Sequence, residues 1–214
     1  MKIKKLKPLV LVPSEFEYEI VKDFSSIFEV YVTGVGVVEA GLSALEIFYR
    51  EKPGFAILTG WAGAYPESGL NTGDVVLATR EVFADFGRKH KTHCSFFPSK
   101  IASVFSCDLN HPFTEKIMYL LEAGGFNPVS GTFATVCLAS YHIERAKIIE
   151  KRFSAIAENM EGYGVARAGE KTGVYVTELR IISNLLNSPE QDWDFQKAKE
   201  RLREVWKWLA ENLK

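Results

Sequence analysis

Three glutamates alternate in the stretch PSEFEYE, where Glu15, Glu17 and Glu19 follow directly on the apolar run Leu9 to Val12. A carboxylate just beyond a strand's carboxyl end is placed to act as a general base. Carboxylates at a helix start also complement the helix dipole, the commoner reason for such a pattern. Two later turns carry similar groups: AENMEG sets Asn159 and Glu161 after an apolar run, and VTELRIISN ends a run of β-formers on Ser183 and Asn184. A buried amide left unpaired costs about 1 to 3 kcal/mol, so either the fold or a ligand must satisfy Asn184. Between these turns TGVGVVEAG offers a glycine turn that opens a helix, and TGWAG follows a third apolar run. Each has a plain structural alternative: Glu161 as a helix cap, Asn184 as a strand-end cap, the glycines as what a tight turn requires.

The elements that must position these groups alternate between short apolar runs and helical periodicity, the pattern of a layered α/β fold. Strands are expected at 8–12, 28–34 and 55–60. Between the last two, Val38, Leu42, Leu45 and Tyr49 mark one helix face, and Pro53-Gly54 stops that helix. Strand, helix and strand in succession form a crossover unit, so strands 28–34 and 55–60 should run parallel. Residues 73–84 extend the sheet, and 85–111 form a polar stretch with few periodic signals, expected to be irregular. A helix follows at 111–125, a strand at 128–139, and a helix at 140–152 with Ser140 as its cap. The strand in FSAIAENME, the helix GYGVARAGEKTG and the strand VYVTELRIIS come next. A last helix carries Phe195, Ala198, Leu202, Val205 and Leu209 on one face. At 214 residues, without linker or repeat, the chain reads as one domain.

Twenty-six basic residues nearly cancel 27 acidic ones, so no net field draws the chain to nucleic acid or to an anionic membrane. No apolar segment approaches the roughly 18 residues of a membrane span, and no cleavage site follows the basic start. Three cysteines without CxxC spacing suit a reducing cytoplasm. RKHKTHC gathers His90, His93 and Cys94, but no second cluster completes a metal site. No metal or cofactor is expected; the expected partners are a small molecule and further copies of the chain.

The succession PSEFE, TGVGVVEAGLSA, AILTGWAGAYPESGLNTGDVVLA, SAIAENMEGYGVA and ELRIISN resembles the nucleoside phosphorylase and nucleosidase superfamily over nearly the whole chain, least so in residues 85–111. It is most similar to the hydrolytic branch containing methylthioadenosine/adenosylhomocysteine nucleosidases and futalosine hydrolases. The resemblance implies an α/β fold of three layers, a mixed central sheet flanked by helices, and cleavage of a purine N-glycosidic bond. It implies that Glu17 contacts the attacking water, with Glu15 as the stand-in if the register shifts by two. Met160 then packs beneath the ribose, and Glu161 accepts from the 2′- and 3′-hydroxyls, a role its two oxygens suit. Asn159 joins these as a substrate-binding residue. Trp61, Ala62 and Gly63 match a loop bordering base and sugar, and Trp193 resembles a tryptophan of the futalosine hydrolases that covers the base or packs the last helix.

Phosphorolysis needs an anion site. The TGVGVV turn has no arginine and TGWAG has an indole where serine or threonine is common, which favours water, although Arg80 or Arg88 remains a possible phosphate ligand. Adenine-specific relatives carry Ser-Asp where this chain has Ser183-Asn184. An amide keeps a permanent NH₂ donor for a 6-oxo acceptor that a carboxylate would repel. Hypoxanthine is therefore favoured, and futalosine, a hypoxanthine nucleoside with a large 5′ aromatic substituent, fits the pattern. That implies a homo-oligomeric, cytoplasmic enzyme on the alternative route to menaquinone. The alternatives are another purine nucleosidase or phosphorylase, acting on methylthioadenosine, adenosylhomocysteine, aminofutalosine or inosine, and a non-catalytic nucleoside-binding module.

Overall fold

The structure is a computed structural model that describes residues 8–90, 94–96, 105–187 and 193–213; the side chains of Lys89, Cys94 and Phe96 also lie outside the description. Its main sheet is mixed and eight-stranded. The first three strands are β1 (Leu9–Val12), β2 (Glu29–Val32) and β3 (Phe55–Ala64). Next come β4 (Val75–Phe83) and a separate hairpin of β5 (Gly87–Lys89) with β6 (Cys94–Phe96). The main sheet resumes with β7 (Ser106–Asp108), β8 (Val129–Thr135), β9 (Ala155–Asn159) and β10 (Tyr175–Leu185). β1 runs parallel to both β2 and β3. The crossover strands are thus parallel as expected, but β1 lies between them. β10 pairs parallel to β3 and antiparallel to β4, and the path β4–β8–β9–β3 closes the circuit. Every residue of β1 is buried, which is why it reads as an unbroken apolar run.

Helices cover both faces. α1 (Glu15–Val21) starts at Ser14, whose hydroxyl accepts from the Phe16 N–H at 3.2 Å. It packs with α3 (Pro112–Ala123) and α6 (Phe195–Asn212) around a core containing Ile20, Ile117, Leu121, Leu202 and Trp206. On the other face lie α2 (Val37–Glu51) and α5 (Gly162–Thr172). α4 (Ile143–Phe153) packs its Ala146 and Ile149 beside Ala134 and Ala155 of β8 and β9.

The face expected to anchor α2 is not the buried one. Val38, Leu42 and Tyr49 are 65%, 62% and 62% exposed, while Ala40, Ala44, Ile47 and Phe48 are buried. The cause is the α2–α5 contact, made through glycines: a Cβ at Gly41 would stand 3.3 Å from the Gly164 backbone, and one at Gly164 would overlap the Val37 carbonyl. Backbones this close can bury only small side chains between them, so the face that meets α5 is set by Gly41 and its alanine neighbours, and Val38, Leu42 and Tyr49 fall on the opposite side.

Other expected boundaries shift for similarly local reasons. β8 ends at Thr135, and α4 begins after His142 rather than at Ser140. Ser140 is held elsewhere: its N–H and hydroxyl donate to Glu158 at 2.7 and 2.6 Å. The stretch 85–111 is not wholly irregular, since β5, β6 and β7 lie in it; strands of three residues are too short to show a period. Phe195 is 49% exposed and leaves the core stripe of α6 to Ala198, Leu202, Val205 and Leu209. His93 lies outside the described residues, as does the side chain of Cys94. Among the described helices none is long and apolar enough to cross a membrane.

Candidate active site

The carboxyl ends of β1, β3, β9 and β10 converge on a cavity of about 1040 Å³. Glu17 enters from α1, Trp61, Ala62 and Gly63 from β3, Asn159, Met160 and Glu161 from the β9–α5 turn, and Asn184 from β10. The expected TGWAG loop is strand instead: residues 61–63 continue β3, paired along β10, and present their edge to the cavity. Glu15 is exposed and outside the lining. The two-residue offset turns it to the outer side of α1, so of the two glutamates Glu17 is the one that lines the cavity.

Glu17 is 4% exposed. The Ser14 hydroxyl donates to its Oε2. Burial pushes its carboxyl above the ordinary range, opposed by the Ser14 bond, its own N–H and the Arg180 charge. Gly60 makes this proximity possible, for a Cβ there would come within 3.1 Å of Glu17 Oε1 and 3.0 Å of Arg180 Nη1.

Glu161 occupies the N-cap position of α5, but its side chain caps nothing. Its Oε1 accepts from the Gly36 N–H at 3.1 Å and its Oε2 from Arg180 Nη2 at 3.2 Å. Each oxygen keeps a second lone pair. The capping falls to Asn159, whose Oδ1 accepts from the N–H groups of Glu161 at 2.9 Å and Gly162 at 2.7 Å, while its amide donates to Glu81. Asn159 therefore borders the cavity while its side chain also holds the turn into α5.

The pairing of β10 with β3 shifts register between Ile182 and Asn184. This bulge at Ser183 re-aims the next side chain. Asn184 is 6% exposed, and its Oδ1 accepts from the Ser183 hydroxyl at 3.0 Å. No described residue accepts from its Nδ2, which lies 3.2 Å from where a Cβ on Gly63 would stand. Among the described residues the fold thus satisfies the carbonyl and not the amide donor.

Several lining residues carry no motif of the kind read from the sequence. Ala139, Ser140 and Tyr141 line the wall from the loop after β8. Trp193 stacks on Phe195 at 5.2 Å, Phe195 meets the Trp61 ring edge at 6.4 Å, and Lys199 and Phe16 lie at the same mouth. Arg180 is 1% exposed and bonded at each nitrogen: Nε donates to Glu178 at 2.8 Å, Nη1 to the Trp61 carbonyl at 3.2 Å and Nη2 to Glu161. A lone arginine inside the apolar strand ELRIIS was the signal for it. Arg80 and Arg88 are exposed and outside the lining.

The chain belongs to the phosphorylase superfamily, whose family model matches residues 27–211. Within it, the chain is similar to the futalosine hydrolase of Acidothermus cellulolyticus, 31% identical over 83% of this chain and 73% of that protein. It is similar too to the futalosine hydrolase of Thermus thermophilus, 35% identical over 71% of this chain and 67% of that protein. In fold it matches the 5′-methylthioadenosine/S-adenosylhomocysteine nucleosidase of Helicobacter pylori, solved with butyl-thio-DADMe-Immucillin-A, with a TM-score of 0.80 at 18% identity over 97% of this chain and 98% of that one. It also matches a futalosine hydrolase mutant of Helicobacter pylori, with a TM-score of 0.80 at 19% identity over 94% and 95%.

Proposed function

We propose that the chain hydrolyses the N-glycosidic bond of futalosine, releasing hypoxanthine and dehypoxanthinyl futalosine. The observation that carries this reading is Asn184 on the cavity wall, a permanent amide donor whose Nδ2 no described residue accepts. Gly60 beside Glu17 and Gly63 beside Asn184 are three residues apart on β3, about 10 Å at the rise of a strand. That separation accommodates a water, the ribose C1′ and a purine in line. Glu17 takes a proton from the water as its oxygen bonds to C1′. The bond from C1′ to the purine breaks through an oxocarbenium-like state, and its electron pair leaves with the base. Asn184 stabilises the departing 6-oxopurine anion at O6, and Glu161 holds the ribose diol. The aromatic mouth of Phe16, Trp193 and Phe195 gives a large 5′ substituent an apolar wall.

Water is favoured over phosphate because two of the donors nearest Glu161 are engaged: the Gly36 N–H serves Glu161, and Arg180 is bonded at all three nitrogens. Offering futalosine, aminofutalosine, inosine and methylthioadenosine with and without phosphate tests the reading. Hypoxanthine release from futalosine is expected to be fastest and indifferent to phosphate. Faster adenine release from methylthioadenosine overturns it.

The same reading has a single nucleosidase domain acting in the cytoplasm, on the alternative route to menaquinone, as a homo-oligomer. Val35, Val38, Leu42 and Tyr49 form an outward apolar stripe on and before α2, a face that a second copy could cover isologously. Leu42→Glu is expected to shift the chain to monomer in sedimentation; an unchanged sedimentation coefficient would remove α2 from the interface.

A further inference from the structure

Directly beneath the cavity floor two glutamates meet without a counter-ion between them. Glu81 of β4 and Glu178 of β10 are both 0% exposed. Glu81 Oε2 accepts from the Thr135 hydroxyl at 2.9 Å, and its Oε1 accepts from the Asn159 amide. Glu178 Oε1 accepts from Arg180 Nε, whereas its Oε2 is the one buried side-chain polar atom among the described residues that has no hydrogen-bond partner. Gly162 covers both groups: a Cβ there would overlap Glu81 Oε1 and Glu178 Oε2 alike, so these two oxygens face each other at the start of α5.

Two bare carboxylates sharing one buried site repel each other, and the usual resolution is a single shared proton. A proton on Glu81 Oε1 would also supply the donor that Glu178 Oε2 lacks. The partners decide which residue carries it. Glu178 faces the Arg180 guanidinium, while Glu81 faces only the neutral donors Thr135 and Asn159. Burial, and then the Glu178 charge, push the Glu81 carboxyl well above the carboxylate range.

We propose that Glu81 is a protonated carboxylic acid that donates to Glu178, and that this one proton closes a ring of side chains fixing the Glu161 carboxylate. The ring runs from Glu81 through the Asn159 amide to the Glu161 main chain, through the Glu161 side chain to Arg180, and through Glu178 back to Glu81. Glu161 is thereby held from its backbone and from its carboxylate at once, at the cavity wall. Glu81 is a positioning residue; it touches no substrate. The consequence for ribose binding rests on the diol role assigned to Glu161 above, whereas the proton itself does not.

Infrared difference spectroscopy of the intact chain reads the proton directly. The wild type at neutral pH is expected to show the carbonyl stretch of a protonated carboxylic acid, which persists in Glu17→Gln and vanishes in Glu81→Gln. Absence of that band from the wild type, or its survival in Glu81→Gln, would overturn the assignment. Kinetics read the ring. Glu81→Leu, which has no donor, is expected to raise KM for the nucleoside about tenfold, the scale of one hydrogen bond to a charged group. Its affinity for free hypoxanthine should stay unchanged, since the base does not touch Glu161, and this also reports that the variant folds. Glu81→Gln keeps a donor toward Glu178 at the expense of the acceptor for Asn159, so its KM should rise less. Equal rises in the two variants, or equal losses of nucleoside and free-base affinity, would reject the positioning role. A chain that shows the band but does not hydrolyse futalosine would reject the functional reading and leave the proton in place.

Discussion

Glu17→Gln is expected to lower kcat by roughly two to four orders of magnitude, the range of a lost general base, with KM for the nucleoside little changed. Glutamine keeps the volume and can still accept from the Ser14 hydroxyl, so the pocket survives while the proton acceptor is lost. The pH profile gives the second readout. Burial raises the Glu17 carboxyl above the ordinary range, and the competent form is the ionised one, so activity appears as pH rises through that raised value. The acid limb of kcat/KM should therefore lie above that of an exposed glutamate, and residual activity in Glu17→Gln should lack it. Stability runs the other way. A carboxyl raised on folding contributes stability that is fully present below its unfolded pKa and lost as pH rises through its folded one. Glu17 thus costs stability at the pH where it works, and Glu17→Gln should raise Tm there. Unchanged kcat in this variant would remove the general-base role from Glu17, whereas a non-catalytic binding module would show no turnover in the wild type either.

What the sequence made legible were the groups at strand ends, because β1, β9 and β10 are buried runs whose polar break is visible by eye. Glu17, Glu161 and Asn184 each follow such a run, and the closed sheet brings the three breaks to one cavity. Hidden were the features set by partners distant in the chain. The α2 stripe looked like a core face because period and hydrophobicity favour Val38 and Leu42. The actual contact is governed by Gly41 against Gly164, and glycine adds nothing to such a pattern. The bulge at Ser183 has no one-dimensional mark, yet it decides where Asn184 points. Glu81, Glu178 and Arg180 stood in plain view as charges inside apolar strands, but only the contacts made in the fold, under Gly162 and through Asn159, reveal that they belong to one network. Ser140 was read as a cap on local grounds, and the buried Glu158 outcompetes that role with two hydrogen bonds.

Asn184→Asp should reverse the choice of base. The substitution keeps the side-chain shape and the acceptor that the Ser183 hydroxyl bonds at 3.0 Å, and it exchanges only the cavity-facing Nδ2 for an oxygen. Against a 6-oxopurine that oxygen is wrong in both protonation states. Ionised, it faces O6 with like charge; protonated, it offers a donor only after the carboxyl has paid for its proton. Loss of one donor to a developing anion costs roughly 10²–10³-fold in kcat, and futalosine hydrolysis is expected to fall by that much. An adenine nucleoside meets the opposite situation. A protonated aspartate can donate to N7 while its carbonyl accepts from the 6-amino group, the arrangement that the Ser-Asp pair of adenine-specific relatives implies. Adenine release from aminofutalosine, which differs from futalosine only in its base, should therefore rise in the same variant. The ratio of kcat/KM for the two substrates isolates the base, because the 5′ substituent and ribose contacts are common to both. If Asn184→Asp slows both substrates equally, residue 184 supports the wall without reading the purine, and the choice of hypoxanthine must be made by the Ala139–Tyr141 loop opposite.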